Sequence, residues 1–318
     1  MIKGINRLLC SDSLLFIVDR ANNKIVSFNY KGKFITSTLN LIGHAQNEYI
    51  HLRDAAIDEE HKQIYVYCDI PYQMLILDYD LHVKECIKMK DLFLEIALDS
   101  AYLYALCPDL IDESKYDVRC YKKEQLNGHP DILIQQNKAI PRVEGMGKTL
   151  NRSGSTILTC LPFDNTIYEM SDGKILNSWH VDLGNRWFDY SKCKQLKGRR
   201  FLSANEDKHW AIQNIISSGR EIIFNSNLTN MFKVSIPTNE GVGFLRLRNN
   251  SIPFSNSWLI PTSGIYDVAF SIPSAQIVDY HNYYVSRNET MPDHPINSII
   301  RSTSTEDNPL VILGNIIR

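Results

Sequence analysis

The sequence predicts an all-β fold in which small antiparallel sheets recur around an axis, and two observations predict it. The first is a repeat. The stretch Leu14-Leu15-Phe16-Ile17-Val18-Asp19 through Ile25-Val26-Ser27-Phe28-Asn29-Tyr30 aligns without a gap on Gln63-Ile64-Tyr65-Val66-Tyr67-Cys68 through Met74-Leu75-Ile76-Leu77-Asp78-Tyr79, at about fifty residues, a period of propeller blades. The second is continuity: strand-length apolar runs alternate with Asn, Gly and Asp turns, and no Gly-, Pro- or Ser-rich linker divides the chain. A sheet of this kind leaves an apolar face bare. Stacking on a neighbour covers it, and circular stacking leaves no naked end.

The elements follow in order. Residues 14 to 39 give three strands, with Asn22-Asn23 and Tyr30-Lys31-Gly32-Lys33 in the turns, where Asn and Gly tolerate the positive φ of tight hairpins. After the connector Gly43-His44-Ala45-Gln46-Asn47-Glu48-Tyr49, Arg53 to Asp58 reads as an inner strand, and three more strands run to Lys88. Four strands around three short turns make one blade. A third unit takes Ile96-Ala97-Leu98, Tyr102 to Leu106, Tyr116 to Tyr121 and Ile132-Leu133-Ile134, interrupted by an acidic insertion from Pro108 to Lys115. A fourth takes Ser155 to Leu161, Thr166 to Met170 and Ile175 to Val181, and a fifth takes Trp210 to Ile216, Glu221 to Asn225 and Asn230 to Ile236. Phe244 to Arg248, Ser257 to Pro261 and Tyr266 to Ser271 would supply a sixth. A short amphipathic helix near Ile296 to Ser302 precedes a terminal strand from Leu310 to Ile317. The expected architecture is a single six-bladed β-propeller domain over residues 1–318 with one short C-terminal helix.

Bulk composition excludes several classes. Of 318 residues, 44% are hydrophobic and 22% charged, which rules out wholesale disorder. A formal net charge of -2 provides no global positive field for nucleic acid or an anionic membrane. No apolar run reaches the length of a membrane-spanning helix. The first ten residues lack the apolar segment of a signal peptide, and Leu8-Leu9-Cys10 lacks the context of a lipid-attachment cysteine. Seven cysteines leave at least one unpaired within a monomer. Most lie in apolar runs, where free Cys acts as a small hydrophobe; Cys107 and Cys120 are the best disulfide candidates.

These residues support a family comparison. Phe16-Ile17-Val18-Asp19, Ile25-Val26-Ser27-Phe28 and Gly32-Lys33-Phe34-Ile35, then Gly43 with Glu48-Tyr49, and finally Glu306-Asp307-Asn308-Pro309 before Leu310-Val311-Ile312-Leu313 resemble the NHL-like six-bladed propellers of gut Bacteroidetes. Ala45 and Gln46 stand where that connector usually has Gly and Pro. The resemblance implies export to the periplasm or cell surface, often as a lipoprotein, and no assigned activity. Family members carry a leader and an extra strand before the first blade. This chain starts almost at that blade, so the strand that closes the ring is in question.

Candidate chemistry is sparse. Gly145-Met146-Gly147-Lys148-Thr149 imitates the end of a P-loop, but Arg142 stands where the first Gly belongs and a strand follows where a helix is needed. Asp109, Asp112, Glu113 and Asp117 offer oxygens to calcium without EF-hand spacing, so no cofactor is expected. Lys192, Lys194, Lys197, Arg199 and Arg200, flanked by Trp187, Phe188, Tyr190 and Phe201, suit an anionic glycan, because aromatics stack on sugars while cations hold anions. Asp58 and Asp99 read as turn caps. Asp54, with Arg53, reads as lining the central channel. No nucleophile elbow or zinc-protease motif occurs.

The ligand-binding candidates are therefore Arg53, Asp54, Trp187, Lys194, Arg199 and Arg200. The expected function is non-enzymatic binding or scaffolding by a monomer, with a small molecule, glycan or protein at the channel mouth or on a loop face. A metal-assisted hydrolase or lyase acting on a carbohydrate or lactone, and a protein-interaction platform, are the alternatives.

Overall fold

The computed structural model describes residues 2–108, 115–136, 147–188, 206–228, 230–248, 252–256 and 259–315. Its architecture is all-β. The first unit comprises β1 (Arg7–Cys10), β2 (Leu14–Asp19), β3 (Lys24–Asn29) and β4 (Phe34–Ser37), and the second β5 (His51–Asp58), β6 (Gln63–Ile70), β7 (Tyr72–Asp78) and β8 (Val83–Lys88). The third comprises β9 (Glu95–Leu98), β10 (Tyr102–Pro108), β11 (Tyr116–Lys122) and β12 (Asp131–Gln135). The fourth has β13 (Leu150–Ser153), β14 (Thr156–Thr159), β15 (Thr166–Ser171) and β16 (Lys174–His180), and the fifth β17 (Ile212–Ser217), β18 (Glu221–Ser226), β19 (Met231–Ser235) and β20 (Glu240–Phe244). Each is an antiparallel meander in chain order. A small pair, β21 (Leu247–Arg248) and β22 (Ser255–Asn256), precedes β23 (Ile260–Gly264) and β24 (Val268–Ile272), against which the terminal β25 (Leu310–Gly314) pairs.

The first strands β1, β5, β9, β13, β17 and β23 neighbour one another in a cycle, and β23 also approaches β5 and β13, which keeps the middle narrow. The cycle closes covalently distant ends: β1 pairs in parallel with β23, with Leu8 opposite Thr262 and Cys10 opposite Gly264, so seven strands share one ladder across the seam. Arg7–Cys10 thus supplies the closing strand that the sequence left in question.

Strand alternation explains why the units stack. On β6, Ile64, Val66 and Cys68 join Phe16, Val18 and Ile25 of the first unit, while Tyr65 and Tyr67 join Phe93, Ile96 and Leu103 of the third. On β10, Leu103, Ala105 and Cys107 face the second unit, while Tyr104 and Leu106 meet Ile157, Phe163 and Met170 of the fourth. Side chains of period two point to opposite faces, so a continuous apolar run is what a strand buried on both faces requires. Each such aliphatic side chain contributes about 1.5–3 kcal/mol on burial. The same logic separates Cys107 from Cys120. They lie on opposite faces, in different clusters, and both thiols are free, so the best disulfide candidates are not joined and both act as small hydrophobes, as expected of most of the cysteines.

Four element assignments are corrected. The fourth unit has an inner strand, Leu150–Ser153, that its polar composition hid. Phe244, expected in the sixth unit, ends the outer strand of the fifth, and the strand expected at Ser257 to Pro261 lies instead at Ile260–Gly264. Helix α2 (Asn297–Ser302) is where expected, but it is joined by a longer one, α1 (Ser274–Arg287). Ile277, Tyr280 and Tyr284 form its buried stripe against Phe254 and Ile300. Its Tyr-rich, Val-containing end favours a strand locally. Helical spacing of those three residues, together with Asn288 in the left-handed region as C-cap, decides for a helix.

Candidate functional site

The first strands bring charged residues together at the middle of the ring. Arg7 opens β1, Asp54 lies in β5, Glu95 opens β9, and Lys148 lies two residues before β13. Asp54 is fully buried. It accepts from Arg7 Nε at 3.0 Å, Arg7 Nη2 at 2.9 Å, Lys148 Nζ at 2.9 Å and the Ile96 amide at 2.9 Å. Arg7 Nη2 also donates to the Leu150 carbonyl at 3.2 Å. Glu95 Oε2 accepts from the Thr149 and Leu150 amides at 3.0 and 2.8 Å. The cluster thereby ties the first four units together through two carboxylates and two cations.

Its members differ in what they leave free. Burial alone would raise the Asp54 pKa, but Arg7 and Lys148 outweigh it and hold the carboxyl below the usual range. Glu95 is pushed up by burial, against the weaker pull of Lys148 and Arg7, and Lys148 is pushed down by burial, against Asp54. Asp54 and Arg7 have no surface to offer, at 0% and 3% exposure. Lys148 keeps 14% of its side chain accessible, and Glu95 is half-buried. Among the described residues Glu95 Oε1 accepts no hydrogen bond, and Lys148 Nζ donates only to Asp54. One acceptor oxygen and part of one ammonium group therefore remain uncommitted beside the first strands. Gln213 of β17 sits beside them. Its Oε1 accepts from the Gly147 amide and its Nε2 donates to the Ser226 carbonyl, and the described end of the P-loop-like stretch, Gly147 to Thr149, runs into β13 rather than a helix.

Arg53 does not join this cluster. Register shifts fall on both sides of Leu52, so Arg53 and Asp69 are extra residues with no β5–β6 partner. A bulge re-aims a side chain in this way. Arg53 Nη1 lies 3.7 Å from Asp69 Oδ2, and Asp69 Oδ1 bonds His51 Nδ1. Arg53 and Asp54, adjacent in sequence, thus serve different places: the rim and the interior.

The other sequence candidates are dispersed. Trp187 is half-buried, bridges to His209 and packs on the cluster of Leu158, Ile212 and Phe224. Lys194, Arg199 and Arg200, like Lys192 and Lys197, lie outside the described residues, as do Asp109, Asp112 and Glu113. Asp117 holds Arg119 at 2.9 Å. Asp58 and Asp99 cap turns as expected: Asp58 accepts the His61 amide, and Asp99 accepts the Ala101 and Tyr102 amides. Asp78, Asp80 and His82 come close enough for a cation, but they form an exposed hairpin turn in which Asp78 accepts the Asp80 and His82 amides and pairs with Lys84.

Sequence reasoning missed Arg7, Glu95 and Lys148. The available signal was positional: a charged residue stands at or just before three short inner strands that are otherwise apolar or amide-rich.

A family model described as "Domain of unknown function (DUF4934)" matches residues 1–315. No curated protein matches the chain. Among solved structures, BF0058 of Bacteroides fragilis, a protein named for its expected export, superposes with a TM-score of 0.68 over 100% of this chain and 92% of its own, at 13% identity. BamB from Moraxella catarrhalis (TM-score 0.45, 9% identity, 76% of this chain and 64% of its own) and virginiamycin B lyase from Staphylococcus aureus (0.48, 9%, 84% and 76%) are more distant, and their likeness carries no argument here.

Proposed function

We propose that this chain, which belongs to the DUF4934 family, is an exported six-bladed β-propeller that folds as one domain and binds a small polar ligand at the mouth of its lumen. The observation that carries the reading is the unequal use of the central charges. Asp54 and Arg7 are consumed by structure, whereas Glu95 Oε1 and part of Lys148 remain accessible among polar inner-strand residues. A carboxylate acceptor beside an ammonium donor matches the hydroxyls of a sugar, each of which donates and accepts. Export is supported by the name of the Bacteroides fragilis neighbour and by the family resemblance of the blade sequences.

Binding is favoured over metal-assisted hydrolysis by the company the carboxylates keep. Asp54 is counter-charged by Arg7 and Lys148, and Glu95 by two backbone amides. Cations of the protein stand where a divalent ion would need to sit. The platform reading keeps one supporting observation: the outer strands expose Phe34, Ile35, Ile175, Leu176 and Val242, apolar surface of the kind partners cover.

The test is a glycan array followed by thermal shift on wild type, Glu95→Gln and Lys148→Gln. One glycan class is expected to raise the melting temperature, with at least a tenfold loss of affinity in both variants. A screen with no binder, or binders indifferent to both substitutions, would remove the lumen from consideration.

A further inference from the structure

Two arginines from adjacent units are left short of partners. Arg20 begins the 3-10 turn Arg20–Asn22 between β2 and β3, and Arg53 is the bulged residue of β5. The next residue of that turn region, Asn23, locks the two units together. It adopts the left-handed conformation at φ 57°, accepts the Leu52 amide at 2.6 Å and donates to the Ile50 carbonyl at 2.5 Å. The Tyr49 hydroxyl adds a hydrogen bond to its carbonyl at 3.1 Å. The segments that carry Arg20 and Arg53 are therefore fixed relative to each other on both sides.

The two guanidiniums are poorly served. The Nε atoms of Arg20 and Arg53 are both buried with no hydrogen-bond partner. Among the described residues neither side chain donates a hydrogen bond, and Arg53 has a single loose ion pair, at 3.7 Å, to a carboxylate that His51 already holds. Burial lowers the Arg53 pKa, and repulsion from Arg20 lowers it further. Buried donors are almost always satisfied, and an orphaned charged one is costly. Elsewhere this protein satisfies its buried arginine fully: Arg7 has Asp54 and a carbonyl. A guanidinium is a planar fork of donors with no acceptor, shaped for carboxylate, sulfate and phosphate oxygens.

We propose that Arg20 and Arg53 form a binding site for an oxyanion, gripped between the first and second units and completed by the ligand. The site is independent of the lumen reading. The shared chemistry is a compact, negatively charged oxygen cluster; a sulfate or phosphate ester and a sugar carboxylate are its two sources. Asp69 competes for the same fork, so the bound anion displaces the loose Arg53–Asp69 contact.

Calorimetric titrations at constant ionic strength test this with sodium sulfate, sodium phosphate and sodium glucuronate, against sodium chloride. Saturable binding of at least one oxyanion is expected. Preference for sulfate or phosphate would identify an ester, and preference for glucuronate a sugar acid. Arg20→Gln and Arg53→Gln should each weaken binding at least tenfold, and Asp69→Asn should tighten it severalfold, a change that a merely structural role for the arginines would not produce. Lys148→Gln should leave oxyanion binding intact, which separates this site from the lumen. The ligand-free Arg53→Gln protein should melt no lower than wild type, since the substitution relieves a charge conflict. Equal heats with chloride, or unchanged affinity in both arginine variants, would overturn the proposal.

Discussion

Lys148 Nζ donates to Asp54 Oδ1 across 2.9 Å, although 94 residues separate them in the chain. With Arg7 donating to both carboxylate oxygens, this contact fastens the fourth unit to the first and second at the centre of the ring. Four hydrogen bonds converge on one buried carboxylate, which makes Asp54 the most heavily committed side chain of the cluster.

Asp54→Asn should destabilise the fold by about 3 to 5 kcal/mol, because it leaves two buried cations without their counter-charge. Glu95→Gln should cost far less, since a Gln oxygen still accepts the Thr149 and Leu150 amides. Urea unfolding of the two variants checks the contrast. Equal losses would mean that the cluster is not organised around Asp54.

The pH dependence of stability should carry both signatures. The Asp54 carboxyl is depressed in the folded state, so its contribution is complete above the unfolded carboxylate value, about 3.9, and is lost as pH falls through the folded one. Glu95 is raised, so the folded state holds its proton longer; its contribution is largest below about 4.3 and declines as pH rises through the folded value. The stability of Glu95→Gln relative to wild type should therefore improve between pH 4 and 7, in unfolding curves taken across that range. A flat difference would contradict the raised carboxyl.

Gly264→Ala should open the ring. Gly264 has φ 116°, and a Cβ there would overlap the Cys10 carbonyl oxygen across the closing β1–β23 ladder. Backbone strain together with that clash should cost about 3 kcal/mol or more. Hydrogen exchange should show lost protection in Leu8, Leu9 and Cys10 first. Protection lost evenly over all units would point away from the seam.

Thiol chemistry should follow burial. Burial raises the Cys10 and Cys120 thiols to about 12 and pushes Cys68, Cys107 and Cys160 up as well. These five should resist labelling in the native protein, whereas half-buried Cys86 should react faster. Peptide mapping after brief alkylation distinguishes the sites. A Cys107–Cys120 crosslinked peptide would contradict the opposite-face placement.

Much of the fold was legible because its signals are local. Apolar runs such as Leu103 to Leu106 require two covered faces, and Asn23, Asp58 and Asp99 announce turns by chemistry that acts within a few residues. Leu150–Ser153 was illegible for the opposite reason. Its Asn151, Arg152 and Ser153 carry no strand pattern; pairing with β14 brings it into the sheet, and β17 of the fifth unit packs beside it. The same holds for Arg53: sequence marked it as a binding residue, but the bulge that turns it away from Asp54 towards Asp69 arises from pairing with β6.

By itself the sequence determined the class of this protein: strands of period two, apolar on both faces, that must stack on neighbours to stay out of water. Tertiary structure alone decided which charges meet. Arg7, Asp54, Glu95 and Lys148 are spread over four units, and Arg20 and Arg53 over two. Hydrophobic patterning is written in neighbouring residues, whereas a charge finds its partner only after the ring has closed and excluded the water that would otherwise solvate it.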